Sequence, residues 1–254
     1  MSAPMTKEEI AAVLADHLKW LCGEGGNRAS LVGARLVGAR LVGARLDGAS
    51  LDGARLDGAR LDCARLVGAR LDGASLDGAS LVGARLDGAS LDGASLVGAS
   101  LVGARLDGAS LDGASLDRAS LVGASLVGAR LVGASLDGAS LDGASLDRAR
   151  LDRARLVGAN LDGASLDRAS LVGAKINDKT AIGILRRATR SDGYEFFLWH
   201  CQEGYFIKAG CRFIGMEDAR QHWTNTRQGT ALGDETLDIL DFFDAAIKRQ
   251  GDGQ

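Results

Sequence analysis

With 254 residues, 46% of them hydrophobic, and a formal net charge of −3, the chain has enough apolar material for a core. It lacks the strong positive balance, with basic and aromatic residues interleaved, of a direct nucleic-acid binder. No stretch approaches the ~18 apolar residues of a membrane span, and no basic-then-apolar leader opens the chain, so a cytoplasmic protein without membrane contact is expected.

Residues 1–27 read as an N-terminal capping helix. Thr6 followed three residues later by Glu9 is a capping box, and Gly23 is a stop signal. Ile10, Val13, Leu14, His17, Leu18 and Leu21 fall at helical spacing on one face. Trp20 is expected to be exposed.

From Ala29 to Gly173 the chain is 29 consecutive five-residue units of the form A-[RSN]-L-[DV]-[GRC], without insertion or deletion. A period of five matches neither the helical repeat nor alternation, and a Gly in most units would cost a helix about 1 kcal/mol each. A short extended Ala-x-Leu piece satisfies the pattern: Ala and Leu point inward, the residue between them outward, and a bend follows. In the turn Leu-[Asp/Val]-Gly-Ala, Gly occupies the third position, where type II geometry needs positive φ. Cys63, Arg118, Arg148, Arg153 and Arg168 replace that Gly, so those corners are expected to relax to another turn type. If four units form the four sides of a square coil, one coil is 20 residues, and stacking at about 4.8 Å gives a rod on the order of 35 Å long.

The tandem A-x-L-x-x pattern, which covers more than half the chain, resembles the pentapeptide-repeat proteins. The resemblance implies a mainly β fold: a right-handed quadrilateral β-helix of about seven coils over residues 28–177, with the central Leu and preceding Ala buried. The family usually carries Asp or Asn before the Leu; here that position is Ser or Arg, and Asp follows the Leu instead. Residues 20 apart share a face, so Asp52, Asp72, Asp92 and Asp112 form an acidic column and Arg45, Arg65, Arg85 and Arg105 a basic one. Asp47, Asp87 and Asp107 lie two residues along from three of those arginines and Arg70 stands beside Asp72, and the 18 basic and 17 acidic repeat residues nearly cancel. A solvated, self-neutralising surface is the plainest reading. Along the axis the charge is banded basic, acidic, basic, with changes near Arg70 and Asp147, a pattern better explained by duplication of units than by side-by-side association.

Residues 178–254 have a different composition and hold ten of the eleven aromatic residues. The runs IGILRRAT, YEFFLWHC and YFIKAGCRF, separated by Asp192-Gly193 and Glu203-Gly204, predict a three-stranded antiparallel meander. A short helix over Met216–Trp223 and a final helix from an Asp234 cap to about Lys248 complete a small α+β C-terminal module. The segment GYFIKAGCRFIGMEDARQHW is similar to tails of bacterial and phage-borne pentapeptide-repeat proteins; this points to such a source and to no activity.

Catalytic, cofactor and metal sites are not expected. The chain has no phosphate loop, HExxH, GxSxG or dinucleotide fingerprint. Cys22, Cys63, Cys201 and Cys211 show neither CxxC nor a disulfide framework. In a hairpin turning at Glu203-Gly204, Cys201 is expected to pair near Phe206 and Cys211 near Phe196, and His200 and Cys201 point to opposite faces, which separates the components of a Cys–His dyad. Three readings follow. The first is a non-enzymatic interaction protein, a rigid rod displaying a C-terminal protein-binding or dimerisation module, with Phe197, Trp199, Arg212 and Trp223 as the candidate partner surface. The second, implied by the resemblance, is a DNA mimic that binds DNA gyrase through Asp52, Asp72, Asp92 and Asp112. The third is an enzyme or ligand binder acting through the tail. A homodimer through an apolar face of the meander is the expected association.

Overall fold

Helix α1 (Lys7–Cys22) begins and ends where its sequence dictates. The Thr6 N–H donates to Glu9 Oε2 at 2.8 Å and the Glu9 N–H to Thr6 Oγ1 at 3.1 Å, while Gly23 closes the helix at φ 71°. The computed structural model describes residues 3–209, 212–227 and 229–251, so Cys211 and its expected pairing lie outside the described residues. Ile10, Val13 and Leu14 pack on the first coil of the repeat, and His17 is fully buried. Leu18 is instead 42% exposed: at about 100° per residue it sits on the edge of the stripe centred on Ile10, Leu14, His17 and Leu21. Trp20, 41% exposed, stacks on His17 with ring centroids 5.3 Å apart.

The repeat forms parallel bridges between residues 20 apart, from Ser30↔Ser50 to Arg155↔Lys175, so a coil is four units. Each unit is tied to its neighbours by backbone bonds. Leu51 N–H donates to Arg70 O at 2.6 Å, Gly53 N–H to Asp72 O at 2.9 Å, and Ser50 N–H to Ala29 O at 3.0 Å. The four-residue turn closes through Ala54 N–H to Leu51 O at 3.0 Å. Leu and Ala line the interior, nearly all with no accessible surface from Leu46 to Ala154. The corners without Gly do not relax: Cys63, Arg118, Arg148, Arg153 and Arg168 keep φ between 56° and 60°. Coil-to-coil bonds hold Cys63, Arg118, Arg148 and Arg153 there, as in Arg118 N–H to Asp137 O at 2.9 Å and Cys63 N–H to Val82 O at 2.8 Å. The strain of a Cβ in this region, of order 1–2 kcal/mol, is smaller than the loss of a buried ladder position.

After the last unit, β1 (Lys175–Ile176) turns at Asn177, φ 54°, into β2 (Lys179–Thr189). Antiparallel pairing continues into the final coil, with Gly173 N–H to Ala181 O and Ala181 N–H to Ala174 O, both 2.8 Å. Strands β3 (Glu195–Cys201), β4 (Gly204–Ala209) and β5 (Arg212–Gly215) extend an antiparallel sheet in the order β1-β2-β3-β4-β5. The expected third strand is thus two strands. The β3–β4 turn is also tighter than expected: Cys201 pairs with Gly204, Trp199 with Phe206 and Phe196 with Ala209, because the two-residue loop is Gln202-Glu203. Helix α2 (Met216–Arg227) runs four residues past Trp223, and α3 (Ala231–Gly251) begins before Asp234. Thr230 caps α3, its hydroxyl accepting from Gly233 N–H at 3.1 Å.

Two predictions follow from this packing. Leu91→Ala should cost about 2–5 kcal/mol, whereas Ser90→Ala, which removes one hydroxyl bond to Asp72, should cost about 0.5–1.5 kcal/mol; thermal melts that rank them the other way would overturn the register. His17 accepts the Ala29 N–H on Nδ1 at 3.0 Å, and burial holds its pKa below the ordinary 6.5, with the Asp47 main chain and charge opposing and Arg28 and Arg45 assisting. The folded state therefore binds this proton less readily than the unfolded chain. The stabilisation is complete above pH 6.5 and declines as pH falls below it, and His17→Gln should flatten that part of the stability profile in denaturant titrations.

Candidate interaction surfaces

The rod is covered by a repeated bonding pattern rather than by free charge. An Asp after Leu accepts, on Oδ1, from the hydroxyl 18 residues on and from the turn N–H 20 residues on. Asp72 takes the Ser90 hydroxyl at 2.5 Å and the Asp92 N–H at 3.1 Å; Asp92 takes the Ser110 hydroxyl at 2.5 Å and the Asp112 N–H at 2.9 Å. Asp57, Asp62, Asp107, Asp147 and Asp152 bond the hydroxyls of Ser75, Ser80, Ser125, Ser165 and Ser170 in the same way. The Ser80 hydroxyl holds the Asp62 carboxyl below the usual carboxylate range. This ladder was missed in the sequence reading. Its signal is a donor at the position 18 beyond every Asp of the column.

Asp52, Asp72, Asp92 and Asp112 do lie in one column, and the ladder uses all four. Asp52 accepts from Asp72 N–H at 3.3 Å and lies 3.4 Å from Arg70 Nε; Asp112 accepts from Val132 N–H at 2.9 Å and pairs with Arg130. The basic column is similarly engaged. Arg65 reaches Asp47 at 3.2 Å, Arg85 reaches Asp87 at 3.4 Å, and Arg105 sits between Asp87 at 3.3 Å and Asp107 at 3.6 Å. Exposed pairs of this kind contribute about 0–1 kcal/mol each, but together they neutralise the faces.

In the C-terminal module three of the four candidate partner residues are core. Phe197 (3% exposed), Trp199 (0%) and Cys201 belong to the same apolar cluster as the repeat interior. Phe196, Leu198 and Trp223 (5%) pack with Leu240 and Phe243 of α3. Among the described residues the sheet packs between coil and helices, so the faces carrying Phe197 and Trp199 and carrying Phe196 and Leu198 are both core. Arg212 is exposed. It lines a polar pocket with Arg190, Tyr194, His222, Trp223, Thr226 and Arg227, residues drawn from β5, α2 and the β2–β3 turn that sequence reading did not bring together.

His200 stacks on Tyr205 at 4.8 Å, while Cys201 is buried and its thiol pushed up to about 11 by desolvation. Such a thiol stays protonated and is a poor nucleophile. No group of His, Cys, Asp or Glu among the described residues is arranged to hold a metal ion, and no described helix is long and apolar enough to cross a membrane.

The family model for pentapeptide repeats matches the chain in eight copies, over residues 27–62, 64–101, 99–138 and 144–178. No curated protein matches it. Among solved structures, the pentapeptide repeat protein Rfr23 from the cyanobacterium Cyanothece 51142 is 36% identical with a TM-score of 0.35, covering 35% of this chain and 60% of that one. This chain therefore spans less than two thirds of that structure. HetL, a pentapeptide repeat protein involved in heterocyst differentiation regulation in the cyanobacterium Nostoc sp. strain PCC 7120, is 29% identical with a TM-score of 0.26, covering 68% and 98%. A trypsin-treated form of QnrB1, a plasmid-mediated fluoroquinolone resistance protein, is 21% identical with a TM-score of 0.37, covering 59% and 90%.

The ladder makes Asp92 structural. Asp92→Ala strands the Asp112 N–H and the Ser110 hydroxyl and should cost about 1–3 kcal/mol, whereas Asp92→Asn keeps an acceptor and should cost less. Chemical denaturation of both variants is the check, and equal stabilities would show the ladder to be incidental.

Proposed function

The chain belongs to the pentapeptide-repeat family, whose model matches more than half of it, and from that membership we propose that it is a non-enzymatic interaction protein. Its right-handed, four-sided rod of about seven coils serves as a rigid spacer, and partner recognition resides in the C-terminal module. The observation that carries this reading is the Asp ladder: carboxylates bonded to the next coil are poor contacts for a partner. A face that repeats every 20 residues also lets a partner slide by one coil with little change in contacts. The module instead presents singular groups, among them Phe242, 47% exposed on α3, and the exposed Arg212 and Arg227. Aromatic and Arg side chains are the types enriched at binding hot spots.

The second reading, mimicry of duplex DNA toward a gyrase, draws on the unbroken column Asp52, Asp72, Asp92 and Asp112. Duplex DNA offers one unbonded charge per about 1.7 Å of axis. This column is tied into coil-to-coil bonds and flanked by arginines, which ranks the mimic below the spacer.

Affinity copurification from a bacterial lysate separates the readings. A specific partner should be retained by the wild type and by Arg60→Glu on the rod, and lost from Phe242→Asp or Arg212→Glu; the reverse pattern would sink the proposal. Gyrase supercoiling should be unaffected at micromolar protein. Inhibition abolished by Asp→Asn at positions 52, 72, 92 and 112 would establish the mimic instead.

A further inference from the structure

The pocket behind Arg212 is unusual in its charge. It measures about 350 Å³ and is lined by three arginines, Arg190, Arg212 and Arg227, with His222, Thr226, Tyr194 and Trp223. Arg190 is its fixed wall. Almost fully buried, it donates from Nε to Asp192 Oδ1 at 3.0 Å, from Nη2 to Asp192 Oδ2 at 2.7 Å, and from Nη1 to Thr236 Oγ1 at 2.9 Å. Its guanidinium carbon lies 5.1 Å from the Tyr194 ring centroid. The engaged nitrogens Nη1 and Nη2 each keep a second N–H.

Asp192 is thus committed to Arg190, and its carboxyl is held down to about 2 by that hydrogen bond. Arg212 and Arg227 make no ion pair among the described residues. Arg227 lies in the last turn of α2, where a cation complements the helix dipole, but Arg212, at the start of β5, has no such reason to be there. Trp223, itself locked edge-on to Phe196 at 5.5 Å, closes the floor. Three Arg residues line one polar cavity whose lining holds no carboxylate among the described residues; Asp192 beside it is bonded to Arg190, and Glu235, which also acts on Arg190, is bonded to Ser191. Mutual repulsion opposes that arrangement, and an anion would reverse it.

We propose that this pocket binds a phosphate monoester, held by Arg212 and Arg227 against the fixed Arg190. Arg forks match phosphate oxygens bidentately and the volume fits a small phosphorylated group, while the Thr226 hydroxyl is already spent on the His222 carbonyl at 2.8 Å. The same chemistry is offered by a small phosphorylated metabolite and by a phosphorylated side chain of a protein partner.

Isothermal titration of the full chain with inorganic phosphate, at constant ionic strength, tests the site. Saturable one-to-one binding is expected, weakened about tenfold by each of Arg212→Gln and Arg227→Gln, as for loss of a charge-assisted bond. Arg60→Gln on the rod should leave it unchanged. Both pocket arginines are exposed, so the variants are expected to melt with the wild type. Phosphoserine peptide and glycerol phosphate then identify the source: the one that binds more tightly than inorganic phosphate marks a protein partner or a metabolite respectively. Absence of saturable phosphate binding, or binding that survives the Arg212→Gln/Arg227→Gln double variant, would overturn the proposal.

Discussion

The backbone bond from each coil to the next is the constraint on which the rest of this structure depends. Within a unit of the inner coils the Leu N–H and the turn N–H donate forward and the outward residue's N–H donates back, so an inner unit cannot shift without breaking bonds on both neighbours. Burial of Leu and Ala supplies the driving force, but it is non-directional; the ladder turns it into a fixed 20-residue register. That rigidity explains the corners at Cys63, Arg118, Arg148 and Arg153, which hold the left-handed conformation ordinarily left to Gly. Three of these four corners are Arg, whose side chains extend away from the coil at the cost of backbone strain.

The position of Asp after Leu follows from the same geometry. At the start of the turn a carboxylate reaches the N–H of the stacked turn and the hydroxyl or guanidinium two residues before it. A second, side-chain ladder then reinforces the backbone one. Where Val replaces Asp, as at Val82 and Val102, the face carries an exposed apolar group instead. Charge that looks available in sequence is thereby internal to the structure, and a near-neutral net charge hides two nearly equal and mutually bonded sets.

A solenoid built this way has two open ends, and each is closed by different means. At the first coil α1 packs Ile10, Val13 and Leu14 against the interior, and Met5 N–H donates to Arg35 O at 3.1 Å, which occupies part of an exposed edge. At the last coil the turn at Asn177 folds the chain back on itself, and Phe197, Trp199 and Cys201 cover the Leu stack. The aromatic content of the tail is therefore mostly closure. What the module leaves exposed includes Phe242 on α3 and the arginines Arg212 and Arg227 of β5 and α2.

The unit A-[RSN]-L-[DV]-[GRC] by itself determined the inward Leu and Ala, the outward residue between them and the bend at Gly, because these follow from a strict short period; the 20-residue stacking is fixed by the coil-to-coil bridges. The capping box at Thr6 and Glu9 and the stop at Gly23 were equally local, since each involves residues within one helical turn. Only the tertiary structure decided which sheet face met the coil, and so turned Phe197, Trp199 and Trp223 from candidate surface into core. Alternation along β3 states that two faces exist but not what lies against each. Tertiary contacts also decided that the corner arginines keep positive φ and that Arg190, Arg212 and Arg227 line one pocket. Those outcomes depend on groups 15 to 40 residues apart in the chain, a separation at which local pattern carries no information about distance in space.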